Sequence, residues 1–197
     1  MTEDPSSLPV GADRDDALAL SSRAGLPDAL RVLYERFPRE EWEGHQNFQG
    51  LVSFWMQRHL MFRNLMGQLQ TDLEAVVDRK ISFDSYAPRL SRLGGMLLEQ
   101  LHGHHQIEDH HYFPQLVRLD DRLVRGFDLL ESDHEAMDGL LAEFADGANA
   151  VLRAGPGGEE TTDFEGRLAG FGKLLERHLT DEEDLIVPVV LSTGFRG

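Results

Sequence analysis

The sequence contains no cysteine among its 197 residues. Without thiols, the chain cannot form disulfides, thiolate nucleophiles, cysteine-type zinc sites or cysteine-ligated iron–sulfur clusters. Any metal that the protein binds must therefore be held by nitrogen and oxygen ligands, from histidine, aspartate and glutamate.

Basic residues are also scarce, because 19 Lys and Arg stand against 35 Asp and Glu, for a formal net charge of −16. Phosphate binding needs clustered basic side chains. This balance therefore argues against nucleic acid as a partner, and it disfavours docking on an anionic membrane surface.

Long apolar runs are missing as well. The longest, LIVPVVL at 185–191, is far too short to span a bilayer. The first residues, MTEDPSSLPVG, lack the apolar segment of a secretory signal. We therefore expect a cytoplasmic protein with no membrane partner.

The sequence does contain strong helical periodicity. Apolar residues recur at spacings of three and four over about 47–79, 88–113, 120–152 and 162–187, which is typical of amphipathic helices. No stretch alternates with a period of two for long enough to predict a sheet. The pattern predicts an all-α fold: an antiparallel up-down four-helix bundle, with a short extra N-terminal helix at 27–37.

The start of the chain differs in composition from the rest. Residues 1–25 are rich in Asp, Ser, Pro and Gly, which is typical of segments that bury little apolar surface. We predict a flexible N-terminal leader over 1–25 and a single domain over 26–197.

Two segments carry the same histidine motif. HHQIEDHHYFP contains His104 and, four residues later, Glu108. HLTDEEDLIVP contains His178 and, four residues later, Glu182. In both segments a proline stands six residues after the glutamate, so the spacing indicates an internal repeat.

The preceding predicted helices repeat in the same way. His59 precedes His104 by nearly the same distance as His134 precedes His178. The chain therefore resembles two copies of one helical hairpin, each with a histidine on its first helix and His-x-x-x-Glu on its second. A pseudo-twofold arrangement of the two copies would bring these side chains together on the bundle axis.

Helix geometry explains why this spacing suits a metal. Residues i and i+4 share one face about 6 Å apart along the axis, so one helix can offer a nitrogen and a carboxylate to the same site. Each of these histidines also lies within an apolar stripe, where an unpartnered polar group is costly. A single histidine there is usually a satisfied core residue, but four on four helices favour a metal site. The predicted ligands are His59, His104, Glu108, His134, His178 and Glu182.

We expect the remaining histidines of HGHHQIEDHHYFP to lie outside the set of predicted ligands. His102, His105 and His110 lie off the predicted face and are expected to be exposed. His111 stands three residues after Glu108 and could line the site.

The pattern resembles the hemerythrin-like, or HHE cation-binding, domain over roughly residues 47–192. The resemblance implies a four-helix bundle around two non-haem iron ions, bridged by the two carboxylates and by an oxo or hydroxo group. In the oxygen-carrying members, that centre binds dioxygen reversibly.

The sequence departs from the oxygen carriers at one position. They have a second histidine four residues after the first on the third helix, where this chain has Asp138. We expect the Asp138 carboxylate to point toward the metal, unless a slight rotation of the helix carries it to the surface. Some family members bridge from the fifth position, here Glu183, but the repeat favours Glu182.

The coordination positions can be counted. Two octahedral irons offer about twelve positions, of which the four histidines, two bridging carboxylates and bridging oxygen fill about ten. Asp138, His111 or Glu131 could supply a further ligand.

The predicted function is that of a non-haem di-iron protein that binds or reacts with a small oxidant: dioxygen, hydrogen peroxide or nitric oxide. Open coordination positions permit both reversible binding and catalase-like turnover, so the sequence leaves open whether the protein is an enzyme. One alternative is an iron-oxidising or iron-storing ferritin-like bundle, which Glu108-x-x-His111 and Glu131-x-x-His134 superficially match. Another is an interaction module stabilised by a structural metal such as zinc.

Overall fold

Four long helices dominate the protein. The structure, a computed structural model, describes residues 17–196. No strand occurs within these residues, so the predicted all-helical fold is confirmed for this part of the chain. The helices are α1 (Leu51–Val77), α2 (Phe83–Ile107), α3 (Val124–Ala154) and α4 (Glu159–Thr193).

Each long helix packs mainly against two others. Both α1 and α3 contact α2 and α4, so the four helices surround a common interior. Local signals set their ends: the side chain of Ser82 caps α2 by accepting a hydrogen bond from the Ser85 N–H, and Gly194 ends α4 in the left-handed conformation. Every helix within residues 17–196 is too short or too polar to cross a membrane.

The second helix changes its form before Pro114 instead of stopping there. Its α-helical part ends at Ile107, a π-helical turn spans Glu108–Tyr112, and a last α-helical turn spans Phe113–Leu116. The Phe113 N–H donates to the carbonyl of Glu108, five residues earlier. Pro114 has no N–H to continue the i→i−4 ladder, so the ladder is interrupted beside it. Such π-turns frequently occur at functional sites.

The fourth helix does not end near Pro188, as the sequence predicted, but continues to Thr193. Proline inside a helix removes one backbone hydrogen bond. Here every residue from 185 to 191 is buried, and packing of an apolar helical segment supplies more stability than one hydrogen bond does.

The prediction of an N-terminal helix over residues 27–37 is wrong. This segment contains only a short 3-10 turn, Tyr34–Arg36, and a second such turn follows at Arg39–Glu41. Short isolated helices are marginal because nucleation is costly. The segment instead gains stability by docking on the bundle, where Leu26 and Leu33 are buried.

The predicted flexible leader is described only in part. Its residues 1–16 lie outside the described residues. In the remaining part, Leu20 and Arg23 are buried, and Leu20 belongs to the hydrophobic core. Leu20 and Arg23 thus hold the described part of this segment against the helices.

A polar layer separates the hydrophobic core into two clusters. On α1, His59 lies between Trp55 of one cluster and Phe62 of the other. On α3, His134 lies in the same way between Leu130 and Met137. The first core cluster includes Phe62, Leu97, Leu101, Met137, Phe164 and Leu175, and the second core cluster includes Trp55, Phe113, Leu130, Leu185 and Val189.

Two glycines of α3 should respond in opposite ways to alanine. A Cβ at Gly147 would stand 2.9 Å from the buried ring of Phe164, whereas a Cβ at the exposed Gly139 would meet nothing within 4 Å. We expect Gly147→Ala to lower the free energy of unfolding, because overpacking costs about 1–3 kcal/mol. Gly139→Ala should raise it by up to about 1 kcal/mol through helix propensity. Urea denaturation of both variants checks this, and equal shifts of the same sign would contradict it.

Candidate metal centre

The six side chains predicted to form the site come together in the polar layer. Of these six, each long helix supplies one histidine, and the two glutamates lie directly after α2 and within α4. All six residues are buried, with Glu182 and His178 fully enclosed. Their convergence comes from the 3.6-residue period of the four helices, which places each residue on an inward face.

One group of potential ligands lies between α1, α2 and α4. It comprises His59, His104, Glu108 and Glu182, whose ligand atoms all lie within 4.8 Å of one another. The Nε2 atoms of His59 and His104 are 3.1 Å apart. His104 Nε2 is also 3.1 Å from Glu108 Oε1, so these groups point at a common position.

A second group of three histidines lies between α2, α3 and α4. It comprises His105, His134 and His178, again within 4.8 Å of one another. His134 Nε2 lies 3.3 Å from Glu182 Oε1, and His178 Nε2 lies 3.5 Å from Glu182 Oε2. The second group thus borders the first, and Glu182 contacts histidines of both.

Each glutamate lies between the two groups. Glu182 Oε2 is 3.4 Å from His59 Nε2, while its Oε1 faces His134. Glu108 Oε1 faces His104 of the first group, and its Oε2 lies 3.7 Å from His134 Nε2. A carboxylate that offers one oxygen to each of two neighbouring positions has the arrangement of a bridging ligand.

Several ligand atoms of the layer have no hydrogen-bond partner. Both oxygens of Glu108, Oε2 of Glu182 and Nε2 of His178 are buried without one. A buried polar atom without a partner costs about 1–3 kcal/mol, and such atoms are rare in folded proteins. Their concentration at one point fits cations with nitrogen and oxygen ligands.

The family of the protein follows from a comparison with family models. The model described as the hemerythrin HHE cation-binding domain matches residues 50–190, which is more than two thirds of the chain. The chain belongs to this family. No curated protein and no solved structure matches the sequence in parallel comparisons.

Carboxylates hold three of the histidines of this HHE domain from outside. The Nδ1 atoms of His59 and His134 lie 3.0 Å from Glu183 Oε1 and 2.6 Å from Asp109 Oδ1, respectively. His178 Nδ1 makes a longer contact of 3.4 Å with Asp133 Oδ2. A carboxylate on one ring nitrogen fixes the tautomer and the ring orientation, which directs Nε2 toward the centre in each case.

Glu183 is one of these outer groups and does not lie between the two ligand groups. Besides His59, it accepts hydrogen bonds from Arg39 and Arg63 at 2.7 and 2.6 Å. Burial by itself raises the pKa of the Glu183 carboxyl, but the hydrogen bonds from His59 and Arg63 outweigh it and lower the pKa to about 2. Glu183 is therefore ionised at neutral pH and positions His59.

The structure corrects the expectation for Asp138. Its side chain is 57% exposed and lies 3.4 Å from the exposed His102. The inward face of α3 passes from His134 to Met137 and then to Leu141, all of which are buried. Asp138 is one residue beyond Met137, and therefore about 100° further round the helix.

His111 and Glu131 do not reach the centre either, because both are exposed. His111 lies in the π-helical turn, where the wider i→i+5 bonding takes the residue three positions after Glu108 off its face. Glu131 directly follows the inward-facing Leu130 and so lies on the outer side of α3.

His105 belongs to the second ligand group, and the sequence prediction did not include it. It was expected to be exposed, but its exposed fraction is 2%. It falls outside the repeat, and adjacent helical residues differ by about 100° in direction, so the periodicity of one inward face could not reveal it. His102 and His110, in contrast, are exposed as predicted.

Arg23 is a second group that the sequence did not reveal. Its guanidinium donates to Asp181 Oδ2 at 2.8 Å and to Asp133 Oδ1 at 2.7 Å. Asp133 in turn contacts His178. Arg23 thereby joins the N-terminal segment to a carboxylate that contacts the site. It lies far from the site in sequence, and no local pattern marks it.

The two central glutamates have opposite pKa shifts. Burial and the negative charge of Glu182 raise the pKa of Glu108. Burial also acts to raise the pKa of Glu182, but the charges of His178 and His134 and a hydrogen bond from His134 lower it. Divalent cations between the glutamates would favour the ionised form of both.

Replacing Arg23 should unfold the protein more easily. Arg23→Met leaves the buried carboxylates of Asp133 and Asp181 without their cation, and breaking a buried ion pair in this way costs about 3–5 kcal/mol. The control is Arg122→Met, whose partner Asp120 lies in an exposed pair, and we expect almost no change. Chemical denaturation of metal-free protein measures both. An Arg23→Met midpoint equal to that of the control would contradict the structural role.

The metal-free protein should lose stability at alkaline pH through His134. Burial lowers the pKa of His134, but the hydrogen bonds that its ring donates to Asp109 and Glu182 outweigh it and raise the pKa from 6.5 to about 9. Because the proton on His134 is held more tightly in the folded state, it stabilises that state fully below about pH 6.5. This stabilisation is lost as the pH rises through about 9. Asp109→Asn should flatten this decline in a series of melting temperatures, whereas exposed Asp121→Asn should not. An unchanged decline in Asp109→Asn would exclude the assignment.

Proposed function

We propose that this HHE domain is a non-haem di-iron protein that binds or reacts with a small oxidant, namely dioxygen, hydrogen peroxide or nitric oxide. The observation that carries the proposal is the pair of adjacent ligand groups that share Glu108 and Glu182. A single ion would not need two carboxylates that each face both groups. Two ions bridged by an oxo or hydroxo group account for this arrangement.

The chain supplies a fixed and enclosed site for such a pair. Carboxylates on the outer nitrogens orient His59, His134 and His178, and the two core clusters exclude water above and below the layer. We also propose that the four helices run antiparallel, in up-down order. The short segments 78–82 and 155–158 each join two helices that pack against each other. The iron ions would supply open coordination positions and electrons for a small oxidant.

A pocket supports access by a small molecule. It has a volume of about 350 Å³ and lies on the α1–α2 side of the bundle, where His104 and Glu108 form part of its wall. Its remaining lining is mostly apolar, and Phe54 and Ile107 at this surface are more than half exposed. The lining residues are Leu51, Phe54, Trp55, Arg58, His104, Ile107, Glu108 and Tyr112.

The alternative functions fit the geometry less well. A ferritin-like site would use Glu108-x-x-His111 and Glu131-x-x-His134, but His111 and Glu131 are exposed. A structural zinc ion takes four ligands, whereas seven buried histidines and glutamates belong to the two groups.

Metal content and reactivity test the proposal. Protein loaded anaerobically with Fe²⁺ should bind two ions per chain, and Glu182→Gln should bind fewer, while the surface control Asp138→Asn should bind two. Exposure to dioxygen, peroxide or nitric oxide then separates the roles. A reversible spectral change with dioxygen indicates carriage, and gas evolution with recovery of the starting spectrum indicates peroxide turnover. One ion per chain, or no spectral response to any of the three oxidants, would contradict the proposal.

Acid should release the iron. Protons compete with metal for imidazole as pH falls toward the range near 6.5. We therefore expect the melting temperature of iron-loaded protein to fall toward that of chelated protein on mild acidification. Bound ligands stabilise only the folded state, so a melting temperature unaffected by complete chelation would show that no ion is coupled to folding.

A further inference from the structure

We propose that His105 is a metal ligand, and that it binds the same ion as His134 and His178. The two ions of the centre then differ, since one is held by three imidazoles and the other by two, His59 and His104. This inference rests on the proposed di-iron function. It also supplies the further ligand for which Asp138, His111 and Glu131 were candidates.

The first argument is the lack of any other partner for the His105 ring. His105 is 2% exposed, and neither of its ring nitrogens has a hydrogen-bond partner. In contrast, His59, His134 and His178 each have a carboxylate at Nδ1. A buried imidazole retained only for packing would leave two polar atoms unsatisfied, at a cost that an apolar side chain of similar size avoids.

The second argument is the position of the ring. His105 is stacked on His134 with ring centroids 4.1 Å apart and an angle of 11° between the planes. Its ring meets that of His178 edge to face, with centroids 5.1 Å apart. Each of the three offers a nitrogen within 4.8 Å of the others, so the three nitrogens already lie near one position. Two parallel stacked rings cannot both point a nitrogen at the same ion, so binding would turn the His105 ring out of its stack on His134.

The third argument is that His104 and His105 face different helices. The ring of His104 packs 5.2 Å from the rings of His59 and Phe62 on α1. His105, about 100° further round α2, faces α3 and α4 instead. Glu108 is four residues after His104 and three after His105, so all three lie on one side of the helix. One helix can thus serve both ions, with Glu108 between them.

Counting the imidazoles that bind a paramagnetic ion tests the proposal directly. We would load the full chain, labelled with 15N at histidine, with Co²⁺ and count ring signals shifted far outside the diamagnetic range. We expect signals from five imidazoles in the wild type: His59, His104, His105, His134 and His178. His105→Phe should lose one of them, and the matched surface variant His102→Phe should lose none.

Affinity and stability give an independent readout. Loss of even an outer partner typically weakens metal binding by roughly 10–100-fold, so His105→Phe should weaken binding of one of the two Co²⁺ ions at least tenfold. Phenylalanine keeps the ring stacked on His134 and removes the unsatisfied nitrogens. The metal-free variant should therefore melt at the same temperature as metal-free wild type or higher, whereas the increase caused by Co²⁺ should be smaller.

The outcomes separate the two proposals. Four shifted imidazoles in a wild type that binds two ions would overturn the assignment of His105 and leave the di-iron site intact. A wild type that binds no pair of ions would overturn both. A His105→Phe variant that is destabilised equally with and without Co²⁺ would show that His105 is a packing residue. The count in wild type decides the matter even if the variant does not fold.

Discussion

The cost of burying ionisable groups inside an apolar bundle governs this structure. Seven histidines and glutamates occupy one layer between two hydrophobic clusters, and such groups are stable in the interior only when they have partners. Hydrogen bonds within the protein meet part of this need. The atoms that remain unsatisfied concentrate on the glutamate oxygens and on the nitrogens of His105 and His178, which is where cations would act.

Charged side chains just outside the layer contact three of its histidines. Asp109, Asp133 and Glu183 each contact one histidine, and arginines compensate two of these acids: Arg23 binds Asp133, while Arg63 and Arg39 bind Glu183. The surplus of acidic residues in the composition is therefore not only a matter of the surface. Some of the acids are structural, and the N-terminal segment is held in place because it brings the cation that Asp133 and Asp181 require.

The site is unequal on its two sides. The α1–α2 side carries the pocket that reaches His104 and Glu108. On the other side, the His134 ring is stacked between His105 and Phe113, with centroids 4.1 and 5.5 Å away. These two rings cover both faces of the His134 imidazole. The pseudo-symmetry of the sequence thus folds into a layer whose two halves have different surroundings.

The sequence by itself determined the presence of the four long helices, the repeat and the six side chains that meet in the layer, because one-dimensional periodicity dictates which residues share a helical face. Residues on the same face need no tertiary information to be grouped.

Only the tertiary structure decided the remaining positions. His105 and Asp138 each lie about 100° round the helix from a residue of the inward face. At that angle the packing of neighbouring helices decides the burial of a side chain, and it buries His105 and leaves Asp138 exposed. Pro188 remains inside a helix because the segment around it is buried. Arg23 joins the site through contacts more than a hundred residues away in sequence, and no local pattern encodes such a contact.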